Sequence, residues 1–126
     1  MSPRHAVRPQ QLVAAVAAVT PWLDGAAGAP VRAELAAAVR LSLRTLEQVA
    51  PGHTVEVRVP PFAAVQCLAG PRHTRGTPPN VVETDPRTWL ELVTGRLRWG
   101  DATATGSLTA SGTRAGDVAG WLPLVR

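Results

Sequence analysis

Asp85-Pro86 at one end and Gly95 at the other bracket a stretch so apolar that it dictates what must lie beside it. Asp85 suits an N-cap, because its carboxylate can accept from free first-turn amides, and Pro86 suits the first helical position, where no N–H is needed. Gly95 suits the position just past the helix end. Between them Trp89, Leu90, Leu92 and Val93 crowd a short helix with more apolar surface than one narrow stripe can hold. Such a helix needs a large apolar partner, and a sheet is the obvious one.

Strand patterns are present on both sides of it. Val55, Val57 and Val59 alternate with Thr54, Glu56 and Arg58, the period of a half-buried strand. Pro60-Pro61 breaks that ladder, and Phe62 to Ala69 reads as a second strand with Val65, Cys67 and Ala69 on one face. Asn80 to Thr84 reads as a short third strand, and Trp99, beside Gly100 and Asp101, reads as a turn residue between helix and strand. The longest alternation runs from Ala102 to Ser111, with Ala102, Ala104, Gly106, Leu108 and Ala110 set against Thr103, Thr105, Ser107, Thr109 and Ser111, and predicts a strand whose apolar face is small. Small side chains under a helix leave either close contact or empty volume, and the pattern alone does not choose.

Helical periods fill the remainder. Residues 1–9 read as a loose tail and residues 10–126 as one domain. Gln10 to Val19 is a first helix stopped at Pro21, and Gly25 to Pro30 is a connector. Val31, Leu35, Val39, Leu43, Leu46 and Val49 share one face of a second helix that ends at Pro51-Gly52. Ala115, Val118, Ala119 and Leu122 mark a closing helix that begins near Thr113 and stops at Pro123. The fold class is therefore α/β of the α+β kind: a four- to five-stranded, largely antiparallel sheet with helices on one face.

From Asn80 to Leu124 the order is a strand ending in Thr-Asp, a helix reading Trp-Leu-Glu-Leu-Val-Thr-Gly, a small-residue strand around Gly106, then Ser-Gly and Trp-Leu-Pro-Leu. This block resembles the bacterial members of the sterol carrier protein type 2 family. The resemblance implies a helix-covered sheet and an apolar tunnel that holds a sterol, fatty-acyl chain or similar lipid without covalent chemistry. The ligand would then touch Trp89, Val93, Ala104, Leu108, Val118, Trp121 and Leu122. The fold also resembles the accessory C-terminal domain of mycothiol-dependent maleylpyruvate-isomerase-like enzymes, and an interaction module of that kind is the alternative.

Composition trims the other function classes. The chain holds one cysteine, Cys67, so an intrachain disulfide is impossible and a reducing, cytoplasmic setting is the natural reading. The pI of about 11.3 overstates basicity. The formal net charge is only +4, and with no Lys and no Tyr little titrates between the thiol and the guanidinium ranges. The arginines are scattered among nine acids and form no stripe, so nucleic acid is not an expected partner. No run of about 18 apolar residues exists to make an integral membrane segment. Leu12 to Val19, short, Ala-rich and preceded by Gln10 and Gln11, reads as an amphipathic helix rather than a signal peptide. A homodimer stays open.

Three groups of residues could carry chemistry. Cys67 lies on the apolar parity of its strand, which predicts an inert buried thiol rather than a nucleophile. His5, His53 and His73 have no ligand spacing, so neither a metal nor a cofactor is expected. The loop Gly70 to Pro79 carries polar groups beyond what packing requires. Arg72 and Arg75, with His73, could fork onto a lipid carboxylate or phosphate, or simply be solvated.

Overall fold

The computed structural model describes residues 6–70 and 79–126. Its element order is α1 (Pro9–Leu23), α2 (Arg32–Val49), β1 (Val55–Val59), β2 (Ala63–Cys67), β3 (Asn80–Thr84), α3 (Pro86–Val93), α4 (Trp99–Ala104), β4 (Leu108–Ser111) and a 3₁₀ helix (Ala115–Trp121). The four strands form one mixed sheet in the order β2-β1-β3-β4. β1 pairs antiparallel with β2, placing Val57 opposite Val65, and parallel with β3, placing Val57 beside Val82; β3 pairs antiparallel with β4. Two of the three pairings are antiparallel, so the sheet is largely but not wholly of that kind.

The alternation read from the sequence selects the faces. Val55, Val57, Val59, Val65, Cys67, Val82 and Leu108 point inward and are buried under the helices. Glu56, Arg58, Ala64, Gln66, Val81, Glu83 and Thr109 lie on the opposite parity, exposed or half-buried. On that outer face Arg58 pairs with Glu56 and reaches Glu83 at 3.9 Å. Above the inner face α2 supplies Val39, Leu43 and Leu46, and α3 supplies Trp89, Leu90, Leu92 and Val93. α3 is capped as its sequence demands: the Asp85 carboxylate accepts from the Thr88 N–H at 3.0 Å and the Thr88 hydroxyl at 2.6 Å. Gly95 takes the left-handed φ of 76° that lets the chain leave the helix.

At one end of the sheet Asn80 of β3, 4 % exposed, ties the entry of β1 to the segment that follows β4. Its Nδ2 donates to the Thr54 carbonyl at 3.0 Å, and its Oδ1 accepts from the Arg114 N–H at 2.9 Å. Arg114 continues the link by donating from Nη1 to the Ala69 carbonyl at 2.8 Å. A side chain at Gly112 would stand 2.3 Å from Asn80 Oδ1, so the β4 exit passes too close for any residue but glycine.

Five local expectations are corrected. The Ala102–Ser111 strand is only Leu108–Ser111, because the chain before it forms the helix α4. Alternating Ala and Thr are compatible with a helix when the Thr hydroxyls bond back to the preceding turn, as Thr103 does to the Gly100 carbonyl at 3.0 Å and Thr105 to that of Asp101 at 3.1 Å. Gly106, at a φ of 78°, then turns the chain into β4. Trp99, expected in a turn, opens α4. The closing helix is a 3₁₀ helix rather than an α-helix.

The first helix does not stop at Pro21; it runs on to Leu23. A proline in the last turn removes one hydrogen bond, and tertiary contacts from α3 offset that loss. Arg87 donates to the Trp22 and Leu23 carbonyls, both at 3.3 Å, while its guanidinium lies 4.7 Å from the Trp22 ring centre. Upstream, Pro9 is the first helical residue, and buried Val7 exchanges backbone hydrogen bonds with the Gln48 amide on α2.

Candidate functional site

Trp89 is fully buried, and its Nε1 donates to Ser42 Oγ on α2 at 2.8 Å. Ser42, also fully buried, passes the bond on to the Ala38 carbonyl at 2.7 Å. An indole N–H in an apolar core must find such a partner, and Ser42 on α2 supplies it. Val93, Leu108 and Val118 share this core with Trp89. Of the seven residues expected to touch a ligand, these four are therefore packed against protein. Ala104 is exposed on the last turn of α4. Trp121, at the end of the 3₁₀ helix, is 43 % exposed, and Leu122 beside it is half-buried. Arg72, His73 and Arg75 lie outside the described residues.

Leu122 lines a cavity. A cleft of about 240 Å³ opens between the end of α3, the start of α4 and the C-terminal segment, walled by Leu92, Leu97, Trp99, Ala119, Leu122 and Pro123, with Gly95 and Arg98 at its edge. Local chemistry explains why it is there. α3 ends at Val93, Gly95 carries the chain out of it, and the chain must reverse before α4 can begin at Trp99. The C-terminal segment is held across this reversal by two hydrogen bonds from the Leu124 and Val125 N–H groups to the Val93 carbonyl, at 2.9 and 3.0 Å. Gly95 has no side chain, and Pro123 packs over it. Three irregular segments meet there without the interdigitating ridges of regular helices, and the space between them stays open.

The cleft is apolar with one cation at its margin. Arg98 is exposed at the N-cap of α4 and, among the described residues, enters no ion pair. Nearby Arg96 instead faces away to Asp24 on the α1–α2 connection, at 2.8 Å, and holds that carboxyl below the usual carboxylate range. A wider hollow of about 330 Å³ lies at the β1–β2 turn beside Phe62, but the charges bordering it, Arg58 and Glu83, already face each other. Sequence reasoning missed Leu92, Leu97, Arg98, Trp99 and Ala119. The one available signal was the density of large apolar residues and arginine between Gly95 and Gly100, hidden by reading Trp99 as a turn residue.

Cys67 is fully buried on the inner sheet face. Burial first, and the nearby Glu47 carboxylate second, push its thiol up to about 11, so it carries no thiolate near neutrality. Among the described residues no three His, Cys, Asp or Glu side chains gather as a metal ion would need, and no helix is long and apolar enough to cross a membrane.

An open mixed sheet with helices over its inner face and an apolar cleft at the edge of the helical layer makes this a small α+β domain. The family model described as bacterial SCP ortholog matches residues 31–124, and the chain belongs to that bacterial sterol carrier protein family. At family level this brings a lipid-carrying role, generally without catalysis. The matched segment begins at α2, so α1 precedes it. Comparison with curated proteins finds no match.

Proposed function

We propose that the protein reversibly binds one apolar chain, with the cleft between α3, α4 and the C-terminal segment as the point of capture and Arg98 as the contact for an anionic head group. The observation that carries this reading is the cleft itself: apolar walls, a half-buried indole and one cation that, among the described residues, enters no ion pair. Its volume of about 240 Å³ falls below the ~300–1,000 Å³ of sites that enclose drug-sized molecules. A fatty-acyl segment fits that limit better than a rigid sterol skeleton. Burial contributes about 0.8 kcal/mol per methylene, so the roughly 8 kcal/mol of a micromolar complex needs about ten methylenes before binding costs are met. A longer chain would thus extend past the cleft, and the 3₁₀ helix, whose hydrogen bonds are weaker than those of an α-helix, is the wall best able to yield. The lone buried thiol fits a reducing cytoplasm, and no residue described here is poised for covalent chemistry.

A second reading has its own support. Trp89, Val93, Leu108 and Val118 are closed in the core, as suits an accessory interaction module related to the C-terminal domain of mycothiol-dependent maleylpyruvate-isomerase-like enzymes. Native mass spectrometry of freshly purified protein, followed by titration with a fluorescent fatty-acyl probe, separates the two. A retained lipid mass, or micromolar probe binding that Leu122→Ala weakens, supports the carrier. Folded protein that holds neither lipid nor probe supports the module.

A further inference from the structure

Helix α1 contains no charged residue from Pro9 to Leu23. Leu12, Val16, Val19 and Leu23 are buried against the domain. The opposite side presents Gln10, Val13, Ala14, Ala17, Ala18 and Pro21, all exposed, with Val13 at 53 %. A surface helix ordinarily carries charged and polar residues on its outer side, and past Gln11 this one presents only Val, Ala and Pro. The order of residues on this face says what would cover it. The spacing reads the same in either direction, so an antiparallel copy of the helix sets Gln10 against Pro21, Val13 against Ala18 and Ala14 against Ala17, each contact made twice. The projecting valine then meets an alanine, and the central pair is small enough for close backbone approach.

The helix ends carry matching charge. Arg8, at the N-cap, is exposed and, among the described residues, forms no ion pair, while Asp24, at the C-cap, keeps half of its carboxylate surface exposed beside Arg96. The antiparallel arrangement brings Arg8 of one copy to Asp24 and the carbonyl end of α1 in the other, where a cation is favoured. From these observations we infer that the exposed face of α1 is a self-association surface and that its partner is a second copy of this chain. It stands independently of the ligand proposal, because α1 contributes nothing to the cleft. One helix of ~22 Å is a small contact by the standard of stable interfaces, so the dimer is weak and reversible, with a dissociation constant in the high micromolar range.

Sedimentation equilibrium on the full chain tests this, with circular dichroism to verify folding. Wild type should pass from monomer to dimer between about 10 µM and 1 mM. Ala14→Glu with Ala17→Glu places like charges at the central contact and should weaken association at least tenfold. Ala14→Glu with Ala17→Arg pairs opposite charges across the same contact and should restore it. Wild type that stays monomeric up to 1 mM, or a dimer indifferent to the double glutamate, overturns the inference. So does a monomeric wild type that binds anionic phospholipid vesicles through this face, since a lipid surface would not reward the Glu/Arg pairing.

Discussion

Trp89 and Trp99 stand ten residues apart on either side of the α3 end, in environments of opposite character. Around Trp89 two regular helices lie on a regular strand face, the indole N–H has its partner in Ser42, and the ring is fully buried. Around Trp99 a short helix, a 3₁₀ turn and a proline-bearing tail meet, the ring is half-buried, and a cleft of about 240 Å³ persists. Regular elements repeat their side-chain spacing, so ridges find grooves over several turns. Irregular segments have no such repeat and leave gaps. The tightly packed region therefore carries stability, and the poorly packed one is where the proposed ligand would enter at little cost to the fold.

The largest expected effect lies at Trp89. Trp89→Ala should lose about 3–5 kcal/mol in chemical denaturation, the range for emptying a fully buried aromatic site. Trp89→Phe should lose less while leaving acyl-probe affinity within twofold. A matching loss of probe binding in the phenylalanine variant would show that the two regions are one site.

Next comes the thiol beneath α2. Native Cys67 titrates near 11, above its ordinary 9.0, so the native state favours the neutral thiol and the unfolded state ionises first. Its stabilisation is complete below about pH 9 and is lost as pH rises through 11. The chain has no Lys or Tyr to obscure that window. Melting temperature should fall across it, and Cys67→Ala should flatten the fall. Rapid alkylation of the native thiol at pH 8 would contradict the burial on which this rests.

Asp85→Ala removes a cap that serves both the Thr88 N–H and its hydroxyl and should cost about 1 kcal/mol. Its effect on probe binding measures whether the cleft depends on where α3 is anchored. At the cleft the sensitivities should reverse: Leu122→Ala, from a half-buried position, should cost about 1 kcal/mol or less in stability yet weaken the acyl probe about tenfold. Equal penalties in both measurements would erase the contrast between the regions. The smallest effect on stability belongs to Arg98→Ala, with melting temperature unchanged and a loss of about 1–3 kcal/mol in affinity for a fatty acid but not for the alcohol of equal length. Equal losses for acid and alcohol would make Arg98 part of the wall and not a reader of charge.

What the sequence determined by itself is everything written within one or two turns of chain. The Asp85-Pro86 cap, the Gly95 exit, the faces of β1 and the Val39, Leu43 and Leu46 stripe of α2, though not its exposed ends Val31 and Val49, rest on local hydrogen bonds and on periodicities of 2 and 3.6, which need no knowledge of distant residues. The tertiary structure decided the rest, because the deciding partners lie far off in the chain. Arg87, 65 positions from Trp22, grips the end of α1 that carries Pro21, and Ser42, 47 positions from Trp89, gives the indole its place in the core. The alternating Ala and Thr of residues 102–111 suited strand and helix about equally, with too little apolar volume to demand the sheet. The cleft was least legible of all, since a gap is set by what three separate segments fail to fill, and no window of sequence contains all three.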